Sequence, residues 1–218
     1  MFITTNKKIG FIHIPKCGGS SISSAFRHGE QGPNKNNHLD PWSPWYPVNT
    51  HTTYLRTVKD KITQPETWFT VVRNPFARYH SWYYYQIAWN EKRLSGELGM
   101  KNLDPVLLKQ QVAALKKVGI KNTLLNLDEI CEKHTLKQIR RPQFEWIDGC
   151  KNIRWFKLEE IETLYEWLNE IGCNVEYSHV KKNPKKLTWQ EEFDDEMIEY
   201  IQQRYAIDFE KFGYELIL

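Results

Sequence analysis

Two short stretches of the sequence carry residues whose types and spacing suit anion chemistry. The first is Pro15-Lys16-Cys17-Gly18-Gly19-Ser20-Ser21. Adjacent glycines let a backbone approach an anion closely and turn its N–H groups toward it. Lys16 adds a full positive charge, and Ser20 and Ser21 add hydroxyl donors. A helix starting here contributes partial positive charge and unpaired donors from its first turn. The stretch reads as a phosphate cradle. It is not a Walker A loop, because the lysine precedes the glycines. No clear Asp ends an apolar strand to hold Mg²⁺, so ATP hydrolysis is disfavoured. The purely structural alternative is a glycine turn with an exposed lysine. The second stretch holds Arg73 at the end of an apolar run and Ser81 in the helix that follows. Arginine captures a phosphate in a planar, bidentate way, and a serine hydroxyl can complete the contact. Arg78 competes for that role, and local capping or pairing is the structural alternative for Arg73. Taken together, two such sites suggest a ligand with two separated phosphates.

The elements that must position these residues follow from apolar periodicity. Lys8 to Ile14 reads as a buried strand, and Ile22, Ala25 and Phe26 have the helical spacing of the segment after the glycines. Trp68 to Val72 is a second buried strand. It runs into Arg73-Asn74-Pro75, a helix start with Asn as cap and Pro first. Phe76, Tyr79 and Tyr83 share one face of that helix. Leu55, Val58 and Ile62 mark a helix before the second strand. Asp104-Pro105 opens another, closing near Gly119; Leu124, Leu127 and Cys131 mark one more. Ile153 to Lys157 is a candidate third core strand. Glu159 to Ile171 is a helix ended by Gly172, and Asp194 to Tyr205 is the last helix. Strands separated by helices predict an α/β domain with a mainly parallel sheet, whose ligand sits at the strands' carboxyl ends. Residues 29–50, rich in Gly, Pro and Asn, read as a long loop.

Composition narrows the function classes. The 218 residues fit one large domain able to bury its own core. With 30 basic and 27 acidic residues the net charge is +3, unlike a protein whose task is coating nucleic acid. An aromatic share of 14% is far too high for a disordered chain, so some rings beyond the core are candidates for a ligand wall. No apolar run approaches the ~18 residues of a membrane span, and the first apolar stretch does not read as a signal peptide. Cys17, Cys131, Cys150 and Cys173 form no zinc spacing and read as reduced thiols, which predicts a cytoplasmic setting.

The two motifs together resemble those of the PAPS-dependent sulfotransferases (PAPS is 3′-phosphoadenosine 5′-phosphosulfate). The closer resemblance is to the carbohydrate sulfotransferase family of the heparan sulfate 2-O- and chondroitin and dermatan 4-O-enzymes. Ile14 to Ile22 is similar to that family's segment for the 5′-phosphosulfate. Val72 to Ser81 is similar to its segment for the 3′-phosphate, with Arg73 and Ser81 at the matching positions. His51-Thr52-Thr53 resembles the segment carrying the family's histidine base, and Arg141-Pro142-Gln143 its R-P-Q segment. Phe156 to Glu159, and Tyr205 with Asp208-Phe209 through Phe212-Gly213-Tyr214, resemble its later signatures. Cys17 departs from the family, which commonly has Thr or Ser there.

The resemblance implies a P-loop-like three-layer α/β/α fold, one domain over 1–218, and sulfuryl transfer from PAPS to a hydroxyl on a glycan or glycolipid. It implies that Lys16, Cys17, Gly18, Gly19, Ser20, Ser21, Arg73 and Ser81 hold the nucleotide, that Lys16 stabilises the leaving phosphate and that His51 takes the acceptor's proton. No metal enters this scheme. His38 and His80 are weaker candidates for the base, and His13 reads as a core or supporting residue. Trp42, Trp45 and Tyr46 are candidates to stack on an acceptor sugar, with burial in the core as the alternative. The same alternative covers Trp82 to Tyr85 and Trp89. Lys181, Lys182, Lys185 and Lys186 read as a solvated basic loop, or as one that attracts an anion. An ATP-using kinase and a non-catalytic nucleotide-binding module are the rival readings.

Overall fold

The computed structural model describes residues 2–4, 6–27, 53–59, 64–98, 104–133, 137–173, 175 and 187–217. Its strands are β1 (Phe2–Ile3), β2 (Ile9–Ile12), β3 (Thr67–Val72) and β4 (Ile153–Lys157). Its helices are α1 (Gly19–Arg27), α2 (Tyr54–Lys59), α3 (Pro75–Leu94), α4 (Pro105–Leu125), α5 (Leu127–Lys133), α6 (Ile161–Glu170), α7 (Trp189–Glu192), α8 (Asp195–Arg204) and α9 (Ala206–Phe212). Short 3₁₀ turns lie at Lys137–Ile139, Phe144–Trp146 and Leu158–Glu160. The chain forms two compact units. One comprises Met1–Asn74 with Gln143–Lys182, the other Pro75–Pro142 with Asn183–Leu218.

The first unit holds the sheet, in the order β1-β2-β3-β4. β2, β3 and β4 pair in parallel, and β1 pairs antiparallel to β2. The α/β class and the positions of these three strands thus follow the sequence patterning, but β4, expected in the core, lies at the end of the described sheet with no fully buried residue. β2 and the last five residues of β3 are buried throughout, as strands covered on both faces must be. On one face, Ile9, Phe11, Phe69 and Val71 pack with Ile22 and Phe26 of α1 and with Leu164, Trp167 and Leu168 of α6. On the other face Trp68 stands edge-on to Tyr54 of α2, with ring centroids 6.0 Å apart. Gly10 pairs with Trp68, and a Cβ at Gly10 would lie 2.5 Å from the Trp68 ring. α6 ends where the sequence predicts: Gly172 takes φ 77°, and the Cys173 N–H returns to the Leu168 carbonyl at 2.8 Å.

The second unit is helical around its own core. Phe76, Tyr79, Trp82 and Tyr83 of α3 meet Leu115 and Leu124 of α4, Leu127 and Cys131 of α5, and Met197, Ile201, Tyr205 and Phe209 near the carboxyl end. Asp104 caps α4, accepting from the Val106 and Leu107 N–H groups. The helix does not stop at Gly119 but breaks there, at φ 79° and ψ 168°, and resumes to Leu125. Asp194 caps α8 through the Met197 N–H. Much of the aromatic excess lies in these two cores. Among the described residues no helix is long and apolar enough to cross a membrane.

Candidate functional site

Every parallel strand of the sheet unit ends in residues that converge on one loop. β2 leads through Ile14 and Pro15 into Lys16 to Gly18, and α1 begins at Gly19. β3 ends at Val72, one residue before Arg73, and β4 ends at Lys157, before Leu158 and Glu159. The loop is strained as well as glycine-rich. Lys16 has φ 71°, left-handed for a residue with a side chain, and Gly18 has φ 75°. A non-glycine residue held there costs about 1–3 kcal/mol and persists only where its surroundings fix it. The Arg73 guanidinium on the Lys16 carbonyl is one such contact, and the glycines beside it have no room for side chains. A Cβ on Gly19 would lie 2.0 Å from the ring of His13, and one on Gly18 would lie 2.7 Å from Leu158 Cδ1. The glycines therefore let the loop lie flat against the strand ends.

The loop's geometry fits an anion. Lys16 and Gly18 are both left-handed, a backbone form that turns N–H groups to one side. The N–H groups of Gly19 and Ser20 open α1, while the Ser21 N–H is already taken by the Gly18 carbonyl at 2.9 Å. The first turn of α1 contains no acidic residue to compete for them. Ser20 is half-buried and Ser21 is buried. Arg73 is half-buried, and its Nη1 donates to the Lys16 carbonyl at 3.3 Å. One guanidinium N–H thus touches the loop backbone, which ties Arg73 to the loop that carries Lys16.

Two further residues hold this end of the sheet, and motif reading gave neither a role. Gln143 is fully buried (0% exposed). Its Oε1 accepts from the Arg73 N–H at 2.8 Å and from the Cys17 thiol at 3.1 Å. Its Nε2 donates to the Arg73 carbonyl at 2.8 Å. Glu159 accepts from the Asn74 N–H at 2.9 Å. Residues so far apart in sequence leave no periodic trace, and only the R-P-Q and strand-end resemblances drew attention to them.

The remaining candidates separate clearly. His13 is buried, stacked on Phe11 at 5.8 Å and lying against Gly19, as a supporting residue should be. Ser81 is buried in α3 of the helical unit. Arg78, 1% exposed, gives an Nη1–H to the Arg141 carbonyl at 3.1 Å and lies over the Tyr205 ring. That burial leaves Arg73 as the stronger anion candidate of the two. His80, fully buried, sits 2.7 Å from Glu192 Oε2, where it holds α7 against α3. Glu192 also accepts from the Tyr84 hydroxyl, and burial together with that bond pushes Tyr84 above the ordinary tyrosine range. Trp82 and Tyr83 are core residues, and Tyr85 stacks on Trp89. His38, His51, Trp42, Trp45, Tyr46, Lys181, Lys182, Lys185 and Lys186 lie outside the described residues. An open groove at the opposite, amino-terminal strand ends is lined by Lys8, Glu66, Arg154 and Glu170. Its alternating charges do not suit a polyanion.

The model of the sulfotransferase family matches residues 1–215. No curated protein and no solved structure matches the chain.

Proposed function

The chain belongs to the sulfotransferase family, and on that premise we propose that it moves the sulfuryl group of PAPS to a hydroxyl acceptor, a carbohydrate by resemblance. The observation that carries this reading is the strained Lys16 loop with the Arg73 guanidinium bonded to it, at the carboxyl ends of parallel strands. The loop N–H groups and Lys16 bind the 5′-phosphate end of the nucleotide, and Arg73 binds the 3′-phosphate, a role the resemblance also gives to Ser81. The bond between sulfur and the 5′-phosphate oxygen breaks as the acceptor oxygen bonds to sulfur in line. Negative charge grows on the leaving phosphate, where Lys16 and the loop N–H groups stabilise it. His51, assigned by resemblance, takes the hydroxyl proton; an imidazole with an ordinary pKa of about 6.5 suits a base near neutrality.

The test is transfer of radiolabelled sulfate from PAPS to a panel of sugar acceptors. Lys16→Ala is expected to lower turnover by about 10²–10³-fold, the usual loss on removing a donor to developing charge. His51→Ala is expected to lower it by about 10²–10⁴-fold while nucleotide binding persists. A non-catalytic binding module predicts binding of adenosine 3′,5′-bisphosphate with no labelled product on any acceptor. Phosphoryl transfer from ATP in place of sulfuryl transfer supports the kinase reading.

A further inference from the structure

The side chain of Gln143 ties the loop after β2 to the residue after β3. The ladder between β3 and β4 ends at Val72 opposite Lys157. Beyond it, the Gln143 amide takes over as a peptide-like partner, accepting from the Arg73 N–H and donating to the Arg73 carbonyl. The same Oε1 accepts from the Cys17 thiol, inside the anion loop. Such a two-sided contact needs an acceptor and a donor on one planar group, which only Gln or Asn supplies among side chains of this kind. Its complete burial removes water as a substitute partner. The loop carrying Lys16 and the backbone carrying Arg73 are therefore held at one fixed separation.

We propose that Gln143 is a positioning residue that sets the spacing between the two phosphate-binding groups, and so sets preference for a nucleotide bearing both a 3′- and a 5′-phosphate. The proposal rests on the nucleotide reading above. A ligand with only a 5′-phosphate uses one group and is indifferent to the spacing. A ligand with two phosphates needs both groups in register.

Calorimetric titration of the full chain with adenosine 3′,5′-bisphosphate and with adenosine 5′-monophosphate tests it. The readout is the ratio of the two affinities, which a general loss of folded protein does not change. Gln143→Met keeps the length but loses all three hydrogen bonds. It is expected to lower the ratio by about tenfold, equivalent to ~1.4 kcal/mol. Should Gln143→Met fail to fold, Cys17→Ala and Cys17→Ser carry the test. Alanine removes the donor to Gln143 and serine keeps one, so the ratio is expected to fall further in the alanine variant. Equal losses for both nucleotides, or identical ratios in the two Cys17 variants, overturn the proposal. A wild-type chain with no preference for the bisphosphate overturns the nucleotide reading itself. That outcome is distinguishable because it precedes any substitution.

Discussion

At the scale of single residues, the site depends on two glycines that leave room for their neighbours. Gly19 has no space for a methyl group, because the His13 ring occupies it at 2.0 Å from where Cβ would be. His13 is held in turn by burial and by Phe11. Gly19→Ala is therefore expected to destabilise the protein by about 1–3 kcal/mol, the usual cost of overpacking. His13→Ala opens the space, so the double variant should recover part of that loss. Urea unfolding of the four proteins in the cycle checks this, and strictly additive effects would show that the ring is not the obstacle. The glycines were legible in the sequence because their chemistry is local. The left-handed Lys16 was not, since a lysine carries no signal for positive φ. Nor was the role of Gln143, whose partners Arg73 and Cys17 lie 70 and 126 positions away.

At the scale of elements, β2 and β3 were legible because a strand buried on both faces reads as a short apolar run, whereas β4, half-exposed at the end of the sheet, showed only through Ile153, Trp155 and Phe156. β1 was not, being two residues long and defined only by its pairing to β2. α9 escaped a periodic reading because it spans seven residues and follows α8 after only Tyr205. The helical unit is tied by Asp128 of α5. It meets Arg140 Nε at 2.7 Å and accepts from Arg204, at the end of α8, through Nη2 at 2.7 Å and Nη1 at 2.9 Å. These guanidinium bonds, Arg204 foremost, hold the Asp128 carboxyl below its ordinary range. A carboxyl depressed in the folded state contributes stability above its unfolded pKa of about 3.9, and that stability is lost as pH falls through the folded value. The Asp128 side chain is 53% exposed, so solvent screening keeps the contribution near or below about 1 kcal/mol. Asp128→Asn should lower the melting temperature by ~2–4 °C at pH 7. The gap between variant and wild type should narrow as the pH is brought down to about 3. A gap that is constant across this range would mean that the Asp128 charge contributes nothing to folding.

At the scale of the whole molecule, each of the two units is assembled from two separate stretches, and the chain passes between them at 74/75, 142/143 and 182/183. Neither unit is a continuous fragment, so nucleotide binding is properly measured on the full chain. The net charge of +3 on 218 residues provides little general attraction for a polyanion. Affinity must then come from groups gathered locally, and the Arg73 guanidinium bonded to the backbone of the Lys16 loop is where such a gathering can form. This separates the sulfotransferase reading from a kinase in one measurement that needs no acceptor. A ligand that binds only the folded state stabilises it by about 2.7 kcal/mol at a hundredfold excess over its Kd. For a chain of this size that amounts to a rise of ~5–10 °C in melting temperature. Adenosine 3′,5′-bisphosphate is expected to give such a rise with or without Mg²⁺. ADP at the same concentration should give a much smaller one, because it lacks the 3′-phosphate that Arg73 would hold. Arg73→Ala should reduce the bisphosphate response toward that of ADP, whereas Lys16→Ala should reduce both. Equal responses to ADP with Mg²⁺ and to the bisphosphate would remove the case for a 3′-phosphate site at Arg73.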